Sequence, residues 1–181
     1  MIQFRLHTPE SAPRASRPLM AATQQGDGSL TNMYRILAEA PAALTGFERL
    51  RAAFADSSLT PLEQEVVYHT VAHTNPCHYC TAHIGMFEDS EQSRAATAAI
   101  HDERAIPDAR LQALRRLVAT MAREQGWVPD SLIASFLEAG YTQENVLDVI
   151  CGIALVTMST YTNHIAATPI EAGTAPPRLA S

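Results

Sequence analysis

Residues 65–87, EVVYHTVAHTNPCHYCTAHIGMF, hold two of the chain's three cysteines and four of its seven histidines, with one acid, Glu65, set well back from them. Two helix-start signals frame this stretch. Thr60-Pro61-Leu62-Glu63 supplies a hydroxyl cap, a proline at the first helical position and an acid placed to return a hydrogen bond, which predicts a helix over 61–73. Asn75-Pro76 repeats the cap and proline and predicts a second helix, with Cys77 in its first turn and Cys80 in its second. The short loop between them favours an antiparallel hairpin.

Helical signals continue on both sides. Met33, Ile36, Leu37 and Ala40 recur at helix spacing, and Pro41 opens a helix through 54 with Leu44, Phe47, Leu50 and Phe54 on one face. A polar link over 88–92 leads to an alanine-rich helix ending near Ile100. Pro107-Asp108 opens a helix with Leu111, Leu114, Leu117, Val118 and Met121 as its stripe. Pro129-Asp130 starts the next, Gly140 stops it, and Thr142 caps the last, over 143–167. The sum is an all-α chain of seven or eight helices, without alternating strand patterns or repeats. Residues 1–30 are read as an extended N-terminal segment, 31–170 as the helical domain and 171–181 as a tail. The apolar run 146–158 reads as part of a buried core helix, Cys151 as a buried small residue within it, and Trp127 as packed on the core.

With 181 residues, 46% of them hydrophobic, the chain is long enough for one well-filled core. A net charge of -6 without a cluster of Lys or Arg argues against nucleic-acid binding. Residues 1–19 carry no basic segment followed by an apolar run, and the run 146–158 is shorter than the roughly 20 residues a bilayer span needs, so a cytoplasmic protein with no membrane partner is expected. In that setting a CxxC pair points to redox chemistry or metal binding before structural bridging.

Thiolates attack peroxides and disulfides, so a working cysteine needs a lowered pKa, which a helix N-terminus supplies. Three apart on a helix, Cys77 and Cys80 are within reach of each other. His83 follows Cys80 on the same side. Across the hairpin Glu65 lies roughly 15 Å back from the turn, opposite His83. This gives a relay, Glu65 to His83 to Cys80, in which the carboxylate orients the imidazole and the imidazole exchanges a proton with the thiol. No cofactor is needed. His69 and His73 follow Glu65 at steps of four and extend its face, Tyr79 is placed to shape a pocket, and Tyr161, Thr162, Asn163 and His164 form a polar cluster late in the last helix. Two other readings of the CxxC stay open: a zinc site using Cys77, Cys80 and His83 with His78 or His73, and a non-catalytic structural clip.

Glu65 followed after eleven residues by Cys77-His78-Tyr79-Cys80 and then a histidine resembles the alkylhydroperoxidase AhpD-like branch of the carboxymuconolactone decarboxylase family. LTPLEQEVVYHTVAHTNPCHYCTAH resembles the core motif, YTQENVLDVICGIALVTMSTYTNHIAATPI resembles the C-terminal helix, and the likeness runs over 32–170. It implies an all-helical fold assembled as trimers or larger rings such as hexamers, and a thiol peroxidase activity on hydroperoxides. Cys80 would be the peroxide-reactive sulfur, Cys77 the resolving one, and Glu65 with His83 the proton relay. A dithiol partner, lipoyl-bearing or thioredoxin-like, would reduce the resulting disulfide. The chain departs from the family's pattern at Ile84, where a histidine is common, and at Tyr79, which replaces a histidine. The helix dipole favours Cys77 as the more acidic thiol, whereas the resemblance assigns the attack to Cys80. Lactone decarboxylation, the activity that names the wider family, is the alternative and needs no thiol pair.

Overall fold

A computed structural model describes residues 3–24, 29–82 and 90–171. Nine helices form among them: α1 (Arg17–Thr23), α2 (Asn32–Leu37), α3 (Pro41–Ala55), α4 (Pro61–Thr74), α5 (His78–Ala82), α6 (Glu91–His101), α7 (Ala109–Arg123), α8 (Asp130–Glu138) and α9 (Gln143–Ala166). No strand occurs among the described residues, in keeping with the all-α reading.

The central element is α4, which packs against α6, α7 and α9. It starts where its cap places it: Glu63 N donates to Thr60 Oγ1 at 3.3 Å and Thr60 N donates to Glu63 Oε2 at 2.8 Å. Val66, Val67, Val71 and Ala72 are buried, but so are Glu65, His69 and Thr70, because neighbouring helices surround α4. An amphipathic α7 lies beside it. Its five expected apolar positions are buried, and Asp108 caps its first turn by accepting from Leu111 N at 2.9 Å.

A single glycine sets how closely α9 approaches. A Cβ added at Gly152 would lie 2.6 Å from Phe54 Cε2 and 2.7 Å from Val67 Cγ1, so α9 presses directly on α3 and α4. The same approach carries the last two turns of α9 under α5. A capping box at Thr142 and Asn145 fixes the start of α9, and Gly140, at φ +91°, makes the turn before it.

Several expectations are corrected. The segment 1–30 is not simply extended: α1 forms within it, Met20 is fully buried, and Ser16 Oγ donates to Ala38 O at 2.7 Å. Tertiary anchors rather than an apolar stripe hold this short helix, so periodicity does not reveal it, and it brings the helix count to nine. Asn75 closes α4 instead of capping the next helix. Trp127 is 84% exposed. Cys151 is half-buried. The apolar run of α9 is buried on one face only, through Val149, Gly152, Leu155 and Val156, while Leu147 and Ile150 face outward. Among the described residues α9 is the one helix long and apolar enough to cross a membrane, yet its inner face is packed in the core. Of the expected tail, only Glu171 lies within the described residues.

Candidate active site

The sulfurs sit at the start of α5. Cys77 occupies the cap position: its carbonyl accepts from Thr81 N at 2.9 Å and its Sγ accepts from Cys80 N at 3.2 Å, the bond a cap serine would accept. Cys77 and Cys80 form a disulfide with Cα atoms 5.3 Å apart, and both residues are buried.

From the other side α9 supplies polar groups. Asn163 Nδ2 is 3.6 Å from Cys80 Sγ and 4.0 Å from Cys77 Sγ, while Ser159 Oγ and Thr160 Oγ1 are each 3.8 Å from Cys80 Sγ. All three side chains are buried in an otherwise apolar helix face. In the sequence Ser159 and Thr160 carry no motif, and Asn163 stands out only as part of a polar cluster. The available signal was three polar residues interrupting the inward stripe.

A cavity of about 540 Å³, with Tyr34, Phe47, Phe54, Tyr68 and Tyr79 in its mainly apolar wall, approaches Cys80 through Ser159, while neither cysteine lines it. Ser159 belongs both to this wall and to the surroundings of Cys80. The Tyr79 hydroxyl donates to Glu171 Oε1 at 2.6 Å and accepts from Met33 N at 3.3 Å. Burial and then the Glu171 carboxylate push its phenol pKa well up, so Tyr79 stays protonated at neutral pH.

Glu65 is held between α6 and its own helix. Its carboxylate accepts from Ser93 Oγ at 2.7 Å and Thr97 Oγ1 at 3.4 Å, both on α6, and lies 3.6 Å from His69 Nε2. Burial works to raise its pKa, but His69 and Ser93 outweigh that and hold it below the usual carboxylate value. His83 lies outside the described residues, and so does the expected contact of Glu65 with it. From His69 a row of rings runs outward: His69 to His101 at 5.7 Å, His101 to His73 at 5.8 Å, then His73 Nε2 to Glu103 Oε1 at 3.5 Å. His78 is exposed.

No protein-family model and no curated protein matches this sequence. Solved structures do. The chain superposes on an alkylhydroperoxidase AhpD core structure, an uncharacterized peroxidase-related protein from Ralstonia eutropha, with a TM-score of 0.77 over 95% of this chain and 93% of that one, at 17% identity. The fold is that of the AhpD core. A peroxidase-related protein from Silicibacter sp. matches at TM-score 0.73, covering 94% of this chain and 91% of its own, at 17% identity. The debrominase Bmp8, as a cysteine-to-alanine variant in complex with 2,3,4-tribromopyrrole, matches at 0.75 over 96% and 94%, at 14% identity.

Within this AhpD-like fold the histidine row makes a prediction. Burial, and then the charges of His69 and His73, push His101 from 6.5 down to about 4, against the opposing pull of Asp102, and Arg115 adds to the depression. A base whose folded pKa is lowered adds stability that is complete above 6.5 and drains as pH falls toward 4, because the unfolded chain takes up the proton first. Between pH 7 and 4.5 the His101→Gln protein is expected to lose about 1–2 kcal/mol less stability than the parent, after allowance for the partial exposure of the ring. Urea melts at the two pH values check it, and equal losses would count against this placement of His101.

Proposed function

We propose that this chain is a thiol-dependent peroxidase that reduces hydroperoxides through a Cys77–Cys80 disulfide cycle. The observation that carries the proposal is a buried CxxC disulfide separated by the Ser159 side chain from an apolar cavity, in an AhpD-core fold. Cys80 attacks, Cys77 resolves, and Glu65 with His83 moves the proton. A dithiol, lipoyl-bearing or thioredoxin-like, returns the pair to thiols, and the cycle runs in the cytoplasm without a cofactor. The test is peroxide consumption by the purified protein with dihydrolipoamide as reductant. Turnover that stops on alkylation of the reduced protein is expected, and turnover unaffected by alkylation would overturn the proposal.

Homo-oligomers are part of this reading. Leu147, Ile150, Tyr161 and Ile165 are exposed on α9 at spacings that return to one helix face, an uncharged stripe suited to a second copy of the chain. Sedimentation should find the parent chain associated and Ile165→Glu shifted toward monomer. A monomeric parent chain would count against it.

A second reading draws support from Bmp8 and the aromatic wall of the cavity. The same thiol pair would reduce a carbon–halogen bond, giving C–H, halide and a proton while the two thiols become the disulfide. Halide release from a halogenated pyrrole in the presence of the dithiol distinguishes this from peroxide reduction.

A further inference from the structure

Asn163 is 4% exposed, and its amide is only half used. Nδ2 faces Cys80 Sγ at 3.6 Å, Cys77 Sγ at 4.0 Å and Ser159 Oγ at 3.3 Å. Oδ1 is buried and has no hydrogen-bond partner among the described residues. Burying a carbonyl acceptor unpaired is costly, so such a group calls for a donor that arrives in another state of the site. A route to this amide runs past Ser159, which accepts from Asn163 Nδ2, stands in the wall of the apolar cavity and lies 3.8 Å from Cys80 Sγ.

We propose that Asn163 is a catalytic residue that binds the hydroperoxide group, donating from Nδ2 to the Cys80 thiolate and accepting the terminal O–H of the peroxide at Oδ1. The inference rests on the peroxidase reading and deepens it. An organic hydroperoxide lays its apolar tail in the cavity and brings its O–O group to Ser159, Asn163 and Cys80. The Cys80 thiolate attacks the terminal oxygen, an S–O bond forms as the O–O bond breaks, and the alkoxide leaves as the alcohol after taking up the proton that Cys80 lost on ionising, returned by the proton relay. Sulfur is oxidised by two electrons and the peroxide is reduced by two. The Cys77 thiol then condenses with the sulfenic acid, releasing water and forming the disulfide.

The donor set also addresses which sulfur attacks. Cys77 has the backbone N–H of Cys80 at 3.2 Å, but the side-chain groups of Ser159, Thr160 and Asn163 converge on Cys80. Hydrogen bonds to a thiolate lower its pKa and so increase the reactive fraction at neutral pH.

The test uses reduced full-length protein carrying Cys77→Ser and Cys151→Ser, so that Cys80 is the sole thiol. Iodoacetamide alkylation across pH and single-turnover reaction with cumene hydroperoxide are followed with and without Asn163→Ala. The expected result is an upward-shifted alkylation profile, alkylation at pH 7 slower by about tenfold, and peroxide reaction slower by about a hundredfold, since the second bond is lost only with peroxide. Asn163→Asp keeps the volume and the acceptor but replaces the donor by a negative charge. It should show the same upward shift, and it serves if the alanine variant does not fold. Wild-type rates for both reactions in a folded Asn163 variant would overturn the inference. Absence of peroxide reaction in the parent, with alkylation still dependent on Asn163, would instead overturn the peroxidase reading and leave the donor to Cys80 standing.

Discussion

Cys80→Ser is expected to reduce peroxide turnover by at least about a thousandfold, because a serine hydroxyl at neutral pH is neither a thiolate nor able to carry oxygen as a sulfenic acid. Cys151 cannot substitute for it: burial, and then Asp148, push its thiol pKa up, and it has no second cysteine beside it to resolve a sulfenic acid. Cys77→Ser should behave differently. Its first turnover should proceed and then stall, because the sulfenic acid on Cys80 has lost the neighbour that resolves it. Stopped-flow peroxide loss at one equivalent separates the two variants. Equal multiple turnover in both would remove the disulfide cycle from the account.

Gly152→Ala should cost about 3 kcal/mol, within reach of the larger overpacking penalties, since the new methyl would sit 2.6–2.7 Å from the Phe54 ring and Val67 Cγ1 in a filled core. For a chain of this length that corresponds to a melting temperature lower by about 6–12 °C. The neighbours can yield only by moving α9 away from α3 and α4, which also withdraws Ser159, Thr160 and Asn163 from the sulfurs. Thiol reactivity should therefore fall together with stability. Gly46→Ala is the control. It lies in the exposed part of α3 with nothing within 4 Å of an added Cβ, and should stabilise by about 0.5–1 kcal/mol through helix propensity. A Gly152→Ala protein as stable as its parent would show that the contact of α9 with Phe54 is looser than described.

Local chemistry made most of the helices legible. The caps at Thr60 and Thr142, the helix start at Pro107-Asp108 and the stripe of α7 are short-range signals that match the structure, where Asp108 is the cap of α7. Asn75 shows the limit of that logic, since a polar residue before a proline can close one helix as readily as open the next. α1 was invisible because Met20, Ser16 and His7 are held by residues far along the chain. The cysteine pair was legible from its spacing. Its surroundings were not, because Ser159, Thr160 and Asn163 reach Cys80 from some eighty residues away, through a helix crossing set by Gly152. Glu65 was singled out by its spacing to Cys77, whereas its contacts with Ser93 and Thr97 depend on how α6 packs on α4.

The central claim is that Cys80 takes oxygen from a hydroperoxide and Cys77 resolves it. The most direct test treats reduced Cys77→Ser and Cys80→Ser proteins with one equivalent of cumene hydroperoxide in the presence of dimedone, followed by peptide mass mapping. A dimedone adduct on Cys80 in the first protein and none on Cys77 in the second is the predicted result. No adduct in either, or an adduct confined to Cys77, would contradict the account.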